Sequence, residues 1–272
     1  MIKKSSFFGF AVLLASSFTY AQDILWEKTY GGKHAEFLYD AIPTPDYGFI
    51  LAGSSISGKN GNKEDNNKGD LDYWLWKMDE KGNLDWQKSF GGNQVDLLQS
   101  IAITSDGGFI LGGTSSSNKG NDKLEDCKGQ EDFWVIKLNA KGQELWQKTI
   151  GGNGMEKLLS IAQTKDGGYI LGGTSSSNTS PDLEKNPFGK SEDSRGNLDF
   201  WIVKLKADGS MQWQKTIGGQ YVDELKSISQ TKDGGYILGG YSNSPASGDK
   251  TEANFGLGDY WIVKLDETGT IE

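Results

Sequence analysis

Residues 164–178, TKDGGYILGGTSSSN, decide the fold because the chain repeats them three more times with small changes. TSDGGFILGGTSSSN begins at Thr104, TKDGGYILGGYSNS begins at Thr231, and a looser TPDYGFILAGSSIS begins at Thr44. A regular repeat indicates structural units that stack on one another, because a single unit cannot bury its apolar face alone. We therefore expect a tandem array of four similar units.

Tryptophan positions fix the period of the repeat. One set opens segments of the form W-x-K-x-[YFI]-G-G, with spacings of 60, 60 and 67 residues: Trp26, Trp86, Trp146 and Trp213. A second set lies in D-[YF]-W-[LVI]-[WIV]-K-[ML] segments: Trp74, Trp134, Trp201 and Trp261. Trp76 is the one tryptophan outside both sets.

Each unit has the pattern of four short strands. In the third copy, LLSIAQT from Leu158 alternates apolar and polar residues, KDGG at 165–168 is a tight turn, and YILGGTSS follows as a second strand. After a long polar loop, DFWIVKL is a third strand, and MQWQKTI from Met211 is the fourth. No segment has a helical period over more than two turns, so the sequence predicts two hairpins per unit and an all-β fold.

Four-stranded units repeated around an axis are the blades of a β-propeller. We predict four blades, with approximate boundaries at 31–90, 91–150, 151–217 and 218–272. The last repeat stops where its fourth strand should begin, while residues 23–30, DILWEKTY, resemble an unpaired fourth strand. We expect residues 23–30 to complete the last blade, which would leave no sheet edge open. The alternative of more than four blades stays open if the chain is a fragment of a longer protein.

Residues 1–21 have the pattern of a secretory signal peptide. Lys3 and Lys4 precede the apolar run FFGFAVLLASSF, which is too short to span a bilayer, and Ala21 ends a small-x-small cleavage site. The residue directly after the cleavage point is Gln22 and not a cysteine, so a lipid anchor is not expected there. The mature domain, residues 22–272, is predicted to be secreted or on the cell surface, the periplasm being the alternative, without membrane insertion.

The charge of the chain excludes some ligands. Its formal net charge is −9, and Arg195 is the only arginine among 28 basic residues. Nucleic-acid binding needs basic patches, so neither nucleic acids nor other anions are expected partners. Cations and neutral polymers such as glycans remain open. Cys127, the single cysteine, has no partner for an internal disulfide and is predicted to be an incidental loop thiol.

The succession SIAQTKDGGYILGG…DFWIVKLKADGSMQWQKTIGG in the third copy resembles the delta-60 type repeat of secreted and cell-surface bacterial β-propellers. The resemblance covers residues 23–272 and implies the same fold, in a family that is mostly uncharacterised. A weaker resemblance to quinoprotein propellers rests on KADGSMQW at 206–213 and NAKGQELW at 139–146. It implies that the periodic tryptophans lock neighbouring blades together. It does not supply a quinone site, so no organic cofactor is expected.

Four acidic residues share one position in the repeat, where a GG-x-x-x connection enters the axial strand: Glu36, Asp96, Glu156 and Asp223. Carboxylates around one axis repel each other unless they are solvated, paired or bridged by a hard cation such as Ca²⁺. One interpretation is a ring that binds Ca²⁺ or a polar ligand at the channel mouth. The alternative is that each carboxylate caps backbone amides of its own turn.

Other candidate positions are structural or aromatic. An aspartate opens the third strand of every blade and is expected to make a strand-start hydrogen bond that locks blades: Asp72, Asp132, Asp199 and Asp259. Long polar loops are expected on one face, at 54–70, 114–131, 175–198 and 242–258, and they lack the ligand spacing of a Ca²⁺ loop. Trp76 and Tyr241 break the period, which makes them the candidate surface aromatics.

The sequence favours a binding protein over an enzyme. His34 is the only histidine and lies in an ordinary connection, so neither a Ser-His-Asp triad nor a zinc hydrolase is expected, and no catalytic residue is assigned. We predict a non-enzymatic propeller whose long loops bind a glycan or an extracellular protein. A structural cell-surface module is the first alternative, and a carboxylate-dependent glycoside hydrolase is the second.

Overall fold

The computed structural model describes residues 23–272, so the expected signal peptide lies outside the described residues. Between residues 23 and 272 the regular structure consists of fifteen β-strands, and the predicted all-β class is confirmed. That part of the chain has no helix able to cross a lipid bilayer.

The strands form four antiparallel sheets in which neighbours in sequence are neighbours in the sheet. The first sheet contains β1 (Glu36–Pro43), β2 (Phe49–Ser55), β3 (Asp72–Met78) and β4 (Leu84–Phe90). The second contains β5 (Asp96–Ile103), β6 (Phe109–Ser115), β7 (Asp132–Leu138) and β8 (Glu144–Ile150). The third contains β9 (Glu156–Gln163), β10 (Tyr169–Ser175), β11 (Asp199–Leu205) and β12 (Met211–Ile217). The fourth contains β13 (Asp223–Gln230), β14 (Tyr236–Ser242) and β15 (Asp259–Leu265).

The first hairpin of each sheet closes through a turn that needs a positive φ. Gly107, Gly167 and Gly234 have φ angles of 78°, 82° and 98°, and Tyr47 takes the same position in the first sheet with φ 65°. Glycine enters this region without steric cost, whereas a side chain there is uncommon. The DGG motif of three copies and the DYG variant of the first copy therefore make the same turn.

Successive sheets pack face to face through one repeated aromatic contact. The ring of Tyr73 lies 4.8 Å from that of Trp134, Phe133 lies 4.8 Å from Trp201, and Phe200 lies 4.9 Å from Trp261. Each first-named ring belongs to one sheet and each tryptophan to the next. Buried aliphatic side chains surround these pairs and form three apolar cores, one between each two consecutive sheets. This burial is the main stabilising contribution to the stack.

The other tryptophan set also joins consecutive sheets. A Cβ placed on Gly142 would lie 3.0 Å from the indole of Trp86, and Gly209 and Gly269 have the same relation to Trp146 and Trp213, at 3.1 and 3.0 Å. In each case the tryptophan is on the fourth strand of one sheet and the glycine is in the second hairpin turn of the next. Both sets therefore lie at contacts between sheets.

Residues 23–30 do not take the place expected for them. They have no strand hydrogen bonds to β15, and the fourth sheet has three strands. They pack instead on the first sheet, where Trp26 Nε1 donates to the carbonyl of Glu80 at 3.1 Å and the Tyr30 hydroxyl donates to that of Gly82 at 2.7 Å. Trp26 contacts the turn at Gly82 as Trp86 contacts Gly142, so residues 23–30 make the contact of a fourth strand with the next sheet but not the pairing with β15.

Candidate functional site

The long loops lie together on one edge of the sheets. In the first three sheets the connection from the second to the third strand meets the connection that enters the next sheet: Asp70 N donates to the carbonyl of Gln94 at 3.2 Å, Gln130 N to that of Gly154 at 2.7 Å, and Asn197 N to that of Tyr221 at 2.8 Å. The opposite edge carries only tight hairpin turns. The edge formed by residues 56–71, 116–131, 176–198 and 243–258 is called the loop edge below.

A buried lysine anchors each long loop: Lys63, Lys123, Lys190 and Lys250. Lys123 Nζ donates to the carbonyl of Glu125 at 2.9 Å and to Thr149 Oγ1 at 2.8 Å, and Lys190 Nζ donates to the carbonyl of Glu192 at 2.7 Å. Burial lowers the pKa of Lys190 to about 8. An ammonium held by backbone carbonyls fixes the loop from inside, so these polar loops are ordered by their own chain.

The second tryptophan set also supports the loop edge. Trp134 Nε1 donates to Gln147 Oε1 at 3.0 Å, and the amide of the same glutamine donates to the carbonyl of Asp122 at 2.7 Å. Trp74 with Gln87 and Trp201 with Gln214 repeat the arrangement. The indole N–H is therefore already bound within the sheet, and the glutamine side chain links the sheet to the long loop by hydrogen bonds.

Three of the four acidic residues proposed for a ring are fully buried: Asp96, Glu156 and Asp223. Each accepts a hydrogen bond from a backbone amide four residues earlier, as when Gly92 N donates to Asp96 at 2.6 Å and Gly152 N to Glu156 at 2.8 Å. Loop serines donate to the same carboxylates; Ser117 Oγ lies 2.9 Å from Asp96 Oδ2. The arrangement matches the alternative in which each carboxylate caps its own turn.

Glu36, the fourth member of that set, is half-buried and accepts a hydrogen bond from Ser55 Oγ at 3.2 Å. Between residues 23 and 272, no group of three or more histidine, cysteine, aspartate or glutamate side chains is placed to hold a metal ion.

The aspartates that open the third strands bind their own loops. Asp72 accepts a hydrogen bond from Lys68 N at 2.7 Å, Asp199 from Arg195 N at 2.6 Å, and Asp259 from Phe255 N at 2.7 Å; Asp132 accepts likewise from Lys128 N. Each hydrogen bond joins two residues that are four positions apart in the chain. These aspartates therefore hold the end of each long loop at the start of its strand.

Asp72 also lies near the buried carboxylate of Asp96 in the next sheet. Burial raises the pKa of Asp72 to about 6, and the charge of Asp96 acts in the same direction. Within the described residues, Oδ1 of Asp72 and Oδ1 of Asp96 are buried without a hydrogen-bond partner. Protonation of one carboxylate is favoured when two buried carboxylates lie close together, because the proton removes the repulsion between their charges.

The two candidate surface aromatics differ in exposure. Trp76 is only 5% exposed, so its assignment to the surface is corrected by the structure. The ring of Tyr30 lies 4.3 Å from that of Trp76 and covers it, and Trp74 packs against its edge. Tyr241 is 37% exposed and lies beside Gly258 at the end of the fourth long loop.

An open groove of about 570 Å³ lies on the loop edge between the second and third long loops. Residues 125–128 form one wall and residues 185–188 form the other. Phe188 is half-buried, and Lys148 Nζ lies 5.1 Å from the centre of its ring. The groove thus combines the ring of Phe188 with two carboxylates, two lysines and one amide side chain.

Sequence reasoning missed this groove because Phe188 belongs to the seven residues by which the third repeat is longer, and it has no periodic counterpart. The greater length of the third repeat was the feature of the sequence that could have indicated the groove. Gly151 N donates to the carbonyl of Phe188 at 3.0 Å, so the insertion is fixed to the connection between the second and third sheets.

Cys127 lines the same groove but is unsuited to nucleophilic chemistry. Its Sγ lies 3.5 Å from the carbonyl of Ser115, and burial raises the pKa of the thiol to about 12. The thiolate is the reactive form of cysteine, so the thiol is inert near neutral pH.

A second repeated polar cluster lies on the opposite edge, and sequence reasoning missed its lysine. In the third sheet, Lys204 Nζ lies 2.9 Å from Asp166 Oδ2, and Thr164 Oγ1 donates to the same carboxylate. Equivalent lysines are paired with the turn aspartates of the other sheets: Lys77 with Asp46, Lys137 with Asp106 and Lys264 with Asp233. A threonine two residues before each aspartate was the visible signal.

No family model matches the chain. The regulatory protein FlaEY of Caulobacter vibrioides is 25% identical over 213 residues, which are 75% of this chain and 22% of that protein. The chain therefore spans about a fifth of the length of this curated relative. Among solved structures, a mutant of the Synechocystis apocarotenoid oxygenase is 14% identical with a TM-score of 0.33, over 89% of this chain and 70% of that chain.

Proposed function

We propose that the four sheets are blades of a β-propeller and that the protein is exported to bind a glycan through its loop edge. Support for the propeller comes from the first strands, which approach one another from sheet to sheet. Ile101 N donates to Asp40 Oδ2 at 3.2 Å, and Ile161 N and Ile228 N donate to serine hydroxyls of the preceding first strand at 3.4 Å. Sheets that converge at their first strands are typical of blades around an axis.

The groove between residues 125–128 and 185–188 is the observation that carries the binding proposal. Its walls are fixed by buried Lys123 and by the hydrogen bond from Gly151 to Phe188, so a ligand would order little additional chain. A preorganised surface binds with a smaller entropy cost. Phe188 offers a partly exposed aromatic ring, and the carboxylates and Asn186 offer hydrogen-bond partners for hydroxyl groups.

The binding experiment is a thermal-shift panel of soluble polysaccharides on the protein and on Phe188→Ala. A ligand at a hundredfold excess over its Kd adds about 2.7 kcal/mol to the folded state. We expect one neutral polysaccharide to raise Tm and Phe188→Ala to weaken its binding about tenfold, which corresponds to about 1.4 kcal/mol. Tyr47→Ala is the matched control, because Tyr47 is an exposed aromatic on the opposite edge.

The outcomes separate the alternatives. Equal binding by Phe188→Ala would move the site out of the groove, and new reducing ends in the bound polysaccharide would favour the glycoside hydrolase. Binding to an extracellular protein without any glycan shift would favour a protein ligand, and no binding would favour a structural module. Export is tested separately, since the proposal requires the mature N-terminus to lie near Gln22.

A further inference from the structure

The interface between the third and fourth sheets differs from the two preceding interfaces at one buried hydroxyl. At the first interface, Ser54 Oγ accepts a hydrogen bond from Leu98 N at 3.0 Å. At the second, Thr114 Oγ1 accepts one from Leu158 N at 3.3 Å. Thr174 holds the same position at the third interface and is 4% exposed, but within the described part of the chain its Oγ1 has no hydrogen-bond partner. Buried hydroxyls are normally hydrogen-bonded, so this one indicates a partner from outside the chain.

Thr174 lines a cleft of about 190 Å³ between the third and fourth sheets. Three apolar side chains contribute to the same lining: Met155, Leu159 and Leu198. The share of one water molecule in liquid water is about 30 Å³, so the cleft has room for a small organic molecule. The cleft therefore offers apolar surface together with one hydroxyl that is able to donate and to accept a hydrogen bond.

The charged groups of the cleft favour an anion, although the chain as a whole has a formal net charge of −9. Its lining contains two ammonium groups and one carboxylate, those of Lys157, Lys226 and Glu224. Glu224 is paired with Lys226 at 2.7 Å. Lys157 Nζ lies 3.8 Å from Glu131 Oε2, which is too far for a hydrogen bond, so its N–H groups can donate to a ligand.

This combination of groups is specific to the third interface. Lys157 is the strand partner of Thr174, and Lys226 is the extra residue at the bulge of β13. The residues at these two positions of the other interfaces are uncharged: Phe37 with Gln99 at the first, and Leu97 with Leu159 at the second. The two lysines and the unpartnered hydroxyl thus occur together, at the interface that has the cleft.

We propose that the cleft at Thr174 binds a small organic carboxylate that carries a short apolar substituent. The carboxylate accepts hydrogen bonds from Thr174 Oγ1 and Lys157 Nζ, and the apolar substituent packs on Leu159 and Leu198. Hydrogen bonds to an ionised acceptor are stronger than those between neutral groups. The cleft shares no residue with the groove between residues 125–128 and 185–188, so this site is independent of the glycan-binding proposal.

The binding test compares butyrate with butyramide, because the two probes have nearly the same shape and only butyrate is charged. Ligand-observed NMR on the whole protein measures the Kd of each probe. We expect butyrate to bind about tenfold more tightly, because the amide lacks the charge that Lys157 recognises. Equal binding of the two probes, or binding of neither, would overturn the proposal.

Two variants locate the binding of butyrate. Lys157→Met and Thr174→Val should each raise the Kd of butyrate by about fivefold or more, because each removes one hydrogen-bond donor to the carboxylate. Lys141→Met is the matched control, because Lys141 is an exposed lysine in a hairpin turn on the opposite edge, and it should leave the Kd unchanged. A Kd that is the same in Lys157→Met as in the wild type would place the carboxylate elsewhere and overturn the proposal.

Thr174→Val also tests the hydroxyl in the absence of any probe. Valine keeps the shape of threonine, so the replacement should leave the denaturant midpoint unchanged or raise it if the hydroxyl has no partner in the protein. Thr114→Val is the matched variant, and it should lower the midpoint, because it leaves Leu158 N without its acceptor. If Thr174→Val lowered the midpoint as much as Thr114→Val, the hydroxyl of Thr174 would already be bound within the chain and the proposal would be wrong.

Discussion

The hydroxyl of Tyr73 donates a hydrogen bond of 3.0 Å to the backbone carbonyl of Trp134 in the next sheet. The two residues are 61 positions apart and both are buried. At the equivalent positions of the next two interfaces, Phe133 and Phe200 make the ring contact without a hydroxyl. One packing geometry therefore accepts either residue, and the hydrogen bond is an addition to it.

Replacing Tyr73 with phenylalanine should cost about 1 kcal/mol of unfolding free energy, because it removes one buried hydrogen bond and leaves the Trp134 carbonyl without it. Chemical denaturation measures the difference. Phe133→Tyr is the matched variant, and it should lose less, because its new hydroxyl would lie near the carbonyl of Trp201. If Tyr73→Phe and Phe133→Tyr both lost a large and equal part of the unfolding free energy, the two interfaces would not share one packing geometry.

Replacing Asp166 with asparagine should destabilise the protein by about 1 kcal/mol at pH 7, because buried Lys204 loses its carboxylate while solvent screens the exposed side of that pair. Burial acts to raise the pKa of Asp166, but hydrogen bonds from Thr164 and Lys204 outweigh it and lower the pKa to about 2. The stabilisation is therefore present above the ordinary value of 3.8 and is lost as the pH falls toward 2.

The difference in Tm between Asp166→Asn and the wild type should accordingly shrink on acidification. Asp208→Asn is the control, since Asp208 caps only its own exposed turn. If Asp208→Asn lowered Tm as much as Asp166→Asn, the contact between Asp166 and Lys204 would not be the cause of the destabilisation.

Replacing Asp72 with asparagine should stabilise the protein at pH 8. Burial raises the pKa of Asp72 to about 6, above the ordinary value of 3.8, so the folded state takes up a proton that the unfolded state releases. The stability from this group is complete below about pH 4 and is lost as the pH rises through 6. The advantage of the asparagine should appear across that window and vanish at pH 4. A pH-independent difference would contradict it.

Cys127 should react with a thiol-specific reagent much more slowly at pH 7.5 than an unfolded control in denaturant. Its pKa of about 12 leaves almost no thiolate in the folded state. Mass spectrometry of the labelled protein measures the rate. Fast labelling under native conditions would mean that the second long loop opens readily.

Chelator and Ca²⁺ should leave Tm unchanged, because each of the carboxylates of Asp96, Glu156 and Asp223 is buried and already accepts hydrogen bonds from a backbone amide and a serine hydroxyl. A rise in Tm that depends on Ca²⁺ and disappears in Asp96→Asn would support the interpretation of these carboxylates as a Ca²⁺-binding ring. Thermal denaturation in both solutions is sufficient for this comparison.

The sequence predicted the first three strands of each sheet well because its repeats align four copies of each one, whereas residues 23–30 form no strand with β15. It misplaced Trp76, since burial of that side chain depends on Tyr30, which is distant in sequence and lies across the sheet. The carboxylate of Asp96 could be interpreted either way, because capping depends on where the amide of Gly92 points. Phe188 was overlooked because it has no equivalent in the other repeats.

Each repeat carries both halves of its contact with its neighbours: the ring that enters the next sheet, as at Tyr73 and Phe133, and the glycine and tryptophan that receive a ring, as at Gly113 and Trp134. If one repeat were duplicated or deleted, the sheets that become neighbours would therefore pack through the same ring and the same receiving glycine and tryptophan, and no compensating substitution would be needed. The number of sheets can change over evolution through gene length alone, while the inserted residues near Phe188 can diversify in a single copy.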